Sequence, residues 1–392
     1  MDLRQTWSRR RFFGGVAAVL GYAGLRPDAR LFAQTAGSTA PAPRGRPSLA
    51  EYDAMAKLAQ NENPYGPPES VMKAMNGAWK YANRYGYPDG GITQAIADHH
   101  GVKTENVILG AGSGEILEVV GLTFLQGGKK VVGVEPTYSS VYSHASGIKA
   151  EVVALPLLPD YRQDIPAMIR ATKDNYRDVG FVYLVNPNNP TGVVVPKQDV
   201  RALLDGIPVD VPVLIDEAYH HYVQDPNYAT SVPYVLEGRP VIIARTFSKI
   251  AGLAAMRLGY AIAPKRIIDE MRNYSISSVN ALVRWGGVAA LADTANQEKV
   301  KAITIELRQK TAAALTSLGY SVIPSETNFF MVHVGREITP VIDEFRKRGV
   351  AVGRRFPPMV EHLRVSIGTA DEMDRFLVAF KEIFPARNAT SA

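Results

Sequence analysis

Residues 245–259 read RTFSKIAGLAAMRLG. They set Lys249 directly after Ser248 and three residues after Thr246, with Arg257 eight residues further on. A primary amine beside two hydroxyls and a second cation has the groups needed to condense with an aldehyde and to neutralise a phosphate. A solvated lysine past a strand end would carry the same local sequence. The chemistry therefore depends on what else the chain brings to the same place.

Three further stretches carry such residues. GAGSGE, residues 110–115, offers glycines that let backbone N–H groups approach a ligand, and then a helix whose positive N-terminus suits an anion. Many strand-to-helix turns are glycine-rich without binding anything. NPNNPTG, residues 186–192, is either a rigid turn or a means of presenting an asparagine side chain. In DEAY, Asp216 follows the apolar run Val213-Leu214-Ile215. A carboxylate there is either exposed on a turn or paired with a cation, because burying it alone is costly. Taken together, the set is a lysine for a Schiff base, a carboxylate for a pyridinium nitrogen, an asparagine and a tyrosine for a phenolic oxygen, and hydroxyls with an arginine for a phosphate. These are the needs of pyridoxal 5′-phosphate.

Positioning them falls to short β-branched runs that alternate with longer amphipathic stretches. Val107-Ile108-Leu109, Val131-Val132-Gly133-Val134, Phe181-Val182-Tyr183-Leu184-Val185, Val213-Leu214-Ile215 and Val241-Ile242-Ile243 each end in a polar or glycine-rich turn. Apolar runs of this kind predict a mainly parallel sheet covered by helices on both faces, with ligands beyond the carboxyl ends of the strands. The last third predicts a helical stretch over 281–318, strands in GYSVIPSETNFFMVHV, a helix over 337–348, strands in GVAVGRRF and LRVSIGT, and a final helix. That alternation suits a smaller α/β domain.

The 392 residues allow one large domain and a smaller one. Net charge is +6, but the first 46 residues are arginine-rich and hold only Asp2 and Asp28 as acids. No basic stripe or nucleic-acid motif is present, so nucleic acid is not an expected partner. The absence of cysteine excludes disulfides, thiolate metal sites and a cysteine nucleophile. The seven histidines, with His99-His100 and His220-His221 as adjacent pairs, lack metal-ligand spacing, and no metal is expected. Ser8-Arg9-Arg10-Arg11-Phe12-Phe13 resembles a twin-arginine export signal. Its apolar run, residues 12–25, is short for a stable membrane span, and AQTAGSTAPAPRGRP reads as a processed linker. The expected course is export by the twin-arginine translocase to the periplasm or beyond, with the signal removed.

From NENPYGPP near residue 61 to LRVSIGT near residue 369, the chain resembles the class I/II pyridoxal-phosphate-dependent aminotransferases of fold type I, closest in motif to the histidinol-phosphate aminotransferase group. The resemblance implies an α/β fold with a large domain on a mainly parallel, seven-stranded-type sheet and a smaller C-terminal α/β domain. The implied division is 1–46 signal and linker, 47–90 N-terminal arm and small-domain segment, 91–278 large domain and 279–386 small domain. It makes Lys249 the Schiff-base lysine and proton carrier, and Asp216 the partner of the pyridinium nitrogen. Asn189 and Tyr219 would bond the phenolic oxygen, and Tyr138 would stack on the ring. Ser113, Gly114, Thr246, Ser248 and Arg257 would hold the phosphate, joined by Tyr87 from the other subunit of a homodimer with shared sites. Arg364 would grip the substrate's anionic group, and Tyr65 would belong to the arm covering the pocket.

The implied activity is amino-group transfer between an amino acid, or an amino-alcohol phosphate such as histidinol phosphate, and a 2-oxo acid by a ping-pong route. Decarboxylation or lyase chemistry on an amino acid phosphate is the alternative on the same scaffold. A binding protein that kept only the fold is disfavoured by the intact set of cofactor-contacting residues. A dinucleotide-binding dehydrogenase is disfavoured because GAGSGE lacks the full G-x-G-x-x-G spacing. In one place the motif departs: Gly353 follows Gly349-Val350-Ala351-Val352 where the histidinol-phosphate group commonly has an arginine, and Arg354 and Arg355 come after it.

Overall fold

The structure, a computed structural model, describes residues 47–276 and 278–386. The expected twin-arginine signal, and with it the expectation of export, falls on residues outside that description. Residues 47–53 hold most of a short helix, Leu49–Ala54, and belong to the smaller of two units. The larger unit begins at Ala54.

Its strands are β1 (Ala56–Leu58), β2 (Val107–Gly110), β3 (Lys130–Glu135), β4 (Glu151–Pro156), β5 (Val179–Val185) and β6 (Val213–Asp216). They continue as β7 (Val241–Thr246), β8 (Gly259–Ile262), β9 (Ser321–Ile323), β10 (Phe329–His333), β11 (Val350–Val352) and β12 (His362–Ser366). Seven of them form one sheet in the order β2-β8-β7-β6-β5-β3-β4. β8 alone runs antiparallel to its neighbours β2 and β7. The apolar character of these strands follows from burial on both faces. Along β5 every residue is buried. Val182 and Leu184 enter one core and Phe181, Tyr183 and Val185 the other, the two-residue alternation that a pleated strand imposes. In β6, Val213 and Ile215 share the first core and Leu214 the second.

Helices supply the outer layers. Ser113–Phe124 buries Ile116, Leu117, Val119 and Val120 against the second core. Glu69–Gly77, Ile92–His100, Ile165–Asp174, Lys197–Gly206 and Ala281–Ala292 bury their apolar faces in the first. The single helical stretch expected over 281–318 is two helices. Ala281–Ala292 stops at Asp293, whose side chain accepts the N–H of Asn296 at 3.1 Å and caps Thr294–Ser317.

A separate core gathers Leu307, Leu315, Phe330, Val332, Phe345, Leu363, Val365, Phe376 and Phe380. It lies on an antiparallel sheet, β12-β10-β9, and on the parallel pair β1-β11. The final helix, Ala370–Ile383, opens on a capping box between Thr369 and Glu372 and buries Met373, Phe376, Ala379 and Phe380 along one stripe. The expected α/β class, with a mainly parallel seven-stranded sheet between helices and a smaller α/β part, is what the chain forms. Among the described residues no helix is long and apolar enough to cross a membrane.

Candidate active site

The carboxyl ends of β5, β6 and β7 and the N-terminus of Ser113–Phe124 border a cavity of about 430 Å³. Ser113, Gly114, Tyr138, Asn189, Asp216, Tyr219, Thr246, Ser248, Lys249 and Arg257 all line it. Residues spread over 145 positions of sequence meet here because parallel strands end on the same edge.

Asp216 closes β6, 3% exposed, and its Oδ1 accepts the N–H of Ala218 at 3.0 Å. Burial pushes its carboxyl up to about 6, and the Ala218 bond and the Lys249 charge pull against that. Such a carboxylate is suited to pairing with a cation. Lys249, half-buried, lies with its Nζ 3.3 Å from the carbonyl oxygen of Gln60, which it reaches as a donor, and 5.5 Å from the centre of the Tyr219 ring. Its amine is lowered to about 8, first by burial and then by the Arg364 charge, with Glu62 and Asp216 opposing. A lysine so placed is a far better nucleophile near neutrality than a solvated one.

Tyr219 is buried, and burial raises its hydroxyl to about 12, so the phenol keeps its proton. Its oxygen accepts from Asn61 Nδ2 at 3.0 Å and, at the limit of a hydrogen bond, from Asn189 Nδ2 at 3.5 Å. Its own O–H is left to donate into the cavity. Tyr138, 38% exposed, presents a ring on another wall.

One end of the cavity is built for an anion. Arg257 adopts φ 58°, an uncommon left-handed conformation for a side-chain-bearing residue, and donates to the carbonyls of Ala254 at 2.8 Å and Ala111 at 3.2 Å. It lies against Gly112, where a Cβ would stand 2.1 Å from Arg257 Nη2, so only glycine permits that approach. Gly112 is also the N-cap of Ser113–Phe124 and offers no side chain to cap it. The helix's first N–H groups stay open beside a guanidinium. Thr246 and Ser248 complete this end, the Thr246 hydroxyl donating to Ser248 Oγ at 2.8 Å.

A second cavity of about 180 Å³ shares Gln60, Tyr138, Asn189, Tyr219 and Lys249 with the first and adds Asn61, Thr137, Arg354, Phe356 and Arg364. Arg364, on β12, is 6% exposed. It donates to Asn189 Oδ1 and to the Ala59 carbonyl, each at 2.7 Å, and its Nε has no partner. Burial lowers its guanidinium to about 10, still charged at neutral pH.

Two expected residues lie apart: Tyr87 is 84% exposed, Tyr65 is 44% exposed, and neither lines either cavity. Gln60, Asn61, Glu62 and Phe356 do line one or both, and sequence reasoning missed them; Arg354, noted there only as following Gly353, lines the second. The polar run around NENPYG was the available signal for the first three. Its weight fell instead on Tyr65.

A buried carboxylate, a depressed lysine and an anion cradle on one sheet edge, with an arginine in the adjoining cavity, form a chemically specific set. Known proteins resemble this chain over most of its length. The sequence profile of the family described as Aminotransferase class I and II matches residues 53–380. The chain is 37% identical to a histidinol-phosphate aminotransferase of Moorella thermoacetica, over 83% of this chain and 85% of the relative. It is 34% identical to an aromatic amino acid aminotransferase of Thermobifida fusca, over 88% of this chain and 94% of the relative. Among solved structures, the histidinol-phosphate aminotransferase of Sinorhizobium meliloti in complex with pyridoxal-5′-phosphate superposes with a TM-score of 0.79 at 25% identity, covering 88% of this chain and 97% of that one. With most of its length matched and its strand-end residues gathered in one cavity, this chain belongs to the aminotransferase class I and II family.

Proposed function

We propose that this aminotransferase holds pyridoxal 5′-phosphate in the 430 Å³ cavity and moves an amino group between an amino acid and a 2-oxo acid. The observation that carries the proposal is that Lys249 and Asp216 face the same cavity as the Arg257–Gly112 cradle. The fit is chemical: an amine for an aldehyde, a carboxylate for a ring cation and an open helix start for a phosphate. When bound, the cofactor supplies an electron sink that lets a bond to the substrate's α carbon break.

The chain's own groups do the rest. Lys249 would tether the cofactor and, as a free amine, would carry the proton that leaves the α carbon. Asp216 would hold the ring nitrogen cationic through a charge-assisted hydrogen bond. The Tyr219 O–H and Asn189 would bond the phenolic oxygen, and Tyr138 would offer its ring to the cofactor's. Ser113, Gly114, Thr246, Ser248 and Arg257 would hold the phosphate. Arg364, which donates to Asn189 Oδ1, would hold the substrate's carboxylate. Exposed Tyr87 would reach the phosphate of a partner subunit, with Trp79 and Tyr85 as exposed aromatics nearby in sequence. Export by the twin-arginine route remains part of the proposal on the strength of residues 8–13.

The test is a half-reaction. Holoenzyme is mixed with single amino acids, without any 2-oxo acid, while the cofactor's absorbance is followed. Conversion to the amine form of the cofactor, with release of one 2-oxo acid per site, supports transfer. Release of carbon dioxide in its place would make the chain a decarboxylase and overturn the proposal.

A further inference from the structure

Asn61 lies just past β1, 1% exposed, with its backbone in the left-handed conformation at φ 54°. Asparagine is one of the few side-chain-bearing residues that adopts it readily. Backbone and side chain are both held. The Asn61 N–H donates to Ser366 Oγ at 2.8 Å, and the Ser366 hydroxyl donates to Asn61 Oδ1 at 2.8 Å. The Asn61 carbonyl accepts from Asn328 Nδ2 at 3.0 Å. Ser366 thus spends its one proton on Oδ1, which turns the amide's Nδ2 toward the Tyr219 oxygen, 3.0 Å away.

Ser366 and Arg364 stand two residues apart on β12, so they share one face of that strand. Both reach the segment after β1, Arg364 at the Ala59 carbonyl and Ser366 at Asn61. Arg364 also donates to Asn189 Oδ1. A guanidinium can only donate, so Asn189 likewise turns Nδ2 to Tyr219, at 3.5 Å. One strand therefore orients both amides that face the tyrosine oxygen. The Tyr219 ring is packed edge-on against Phe329, with centroids 5.0 Å apart. With the ring fixed and its oxygen receiving N–H donors, the phenol's own proton is left for the cavity that Tyr219 lines.

We propose that Asn61 is a positioning residue: its amide donates to the Tyr219 oxygen and so holds the Tyr219 O–H as a donor toward the cofactor's phenolic oxygen. The proposal rests on the aminotransferase reading and adds to it a residue that acts through Tyr219. A donor at that point stabilises the phenolic oxygen as an anion, and lowers the pH at which the bound cofactor gives up its proton.

The test is a spectrophotometric titration of the holoenzyme, following the absorbance of the bound cofactor against pH. Asn61→Asp keeps the size of the side chain and its tolerance of left-handed backbone, but offers only acceptors, to which the Tyr219 O–H would turn. The titration midpoint should rise by about one to two pH units. Asn61→Gly suits the same backbone without the amide, and should raise the midpoint by about half a unit or more. The charged groups around the Tyr219 oxygen, Arg364, Asp216 and Lys249, stay in place in both variants. Tyr219→Phe alone should match the rise of Asn61→Asp, and adding Asn61→Asp to it should move the midpoint by no more than about 0.3 unit. A midpoint unmoved by Asn61→Asp and by Asn61→Gly would overturn the proposal. So would a full further rise in the Tyr219→Phe background, the mark of an added charge acting without the tyrosine. Should these variants still complete the half-reaction in that case, the positioning inference alone fails and the aminotransferase reading stands.

Discussion

Lys249 is a residue whose surroundings change its chemistry. Burial and two neighbouring arginines lower its amine to about 8, so its neutral, reactive form becomes the majority above that pH. In the cofactor-free protein, the rate at which an amine-selective reagent modifies Lys249 should therefore reach half its maximum near pH 8. A profile still climbing toward pH 10 would show an ordinary lysine. Asp216 works the other way, its carboxyl raised to about 6 until a cation neutralises it. Asp216→Asn should lower kcat by roughly ten- to a hundredfold, since a charge-assisted bond worth about 1.5–3 kcal/mol is lost at the reacting ring. Gly112→Ala should weaken cofactor binding by about tenfold or more, read by equilibrium dialysis, because the new methyl group displaces Arg257. The roles of Asp216, Lys249 and Arg257 were legible only in combination: Asp216 ends an apolar run, and the amine, hydroxyls and arginine of 246–257 gain meaning beside it. Gln60, Asn61 and Glu62 were not, since nothing local tells that the chain after β1 crosses to the cavity.

At the scale of elements, the sheet holds the site still. Glu217 follows Asp216, and Arg245 precedes Thr246; the two form an ion pair at 2.6 Å with side chains 1% and 5% exposed. Glu217 also accepts the Thr230 hydroxyl and the Ser231 N–H, at 3.0 and 2.7 Å. The pair fastens the ends of β6 and β7 beside the residues that face the cavity. Glu217→Gln leaves a buried guanidinium uncompensated and should destabilise the protein by about 3–5 kcal/mol in urea unfolding. The parallel strands could be read from the sequence because burial on both faces makes them nearly continuous apolar runs. The reversed strand β8 could not, because the four residues of Gly259–Ile262 carry no mark of direction. The break at Asp293 was hidden for a similar reason: apolar spacing continues on both sides, and the signal is one capping side chain.

For the whole molecule, the proposal places Tyr87 in the partner subunit's site. Exposure of 84% on an aromatic ring, with Tyr85 fully exposed and Trp79 at 62%, is what a surface meant for a second copy would show before assembly. Tyr87→Ala and Lys249→Ala homodimers should each lose activity, the first by about tenfold and the second almost entirely. Mixed dimers of the two should regain activity, because one of their two sites then has both residues intact. A site built within one chain would regain none. The most direct measurement on the central claim is borohydride reduction of the holoenzyme followed by peptide mass mapping. The account predicts one phosphopyridoxyl group per chain, on the peptide containing Thr246, Ser248 and Lys249 and assigned to Lys249 Nζ. A label on another lysine, or none, would contradict it.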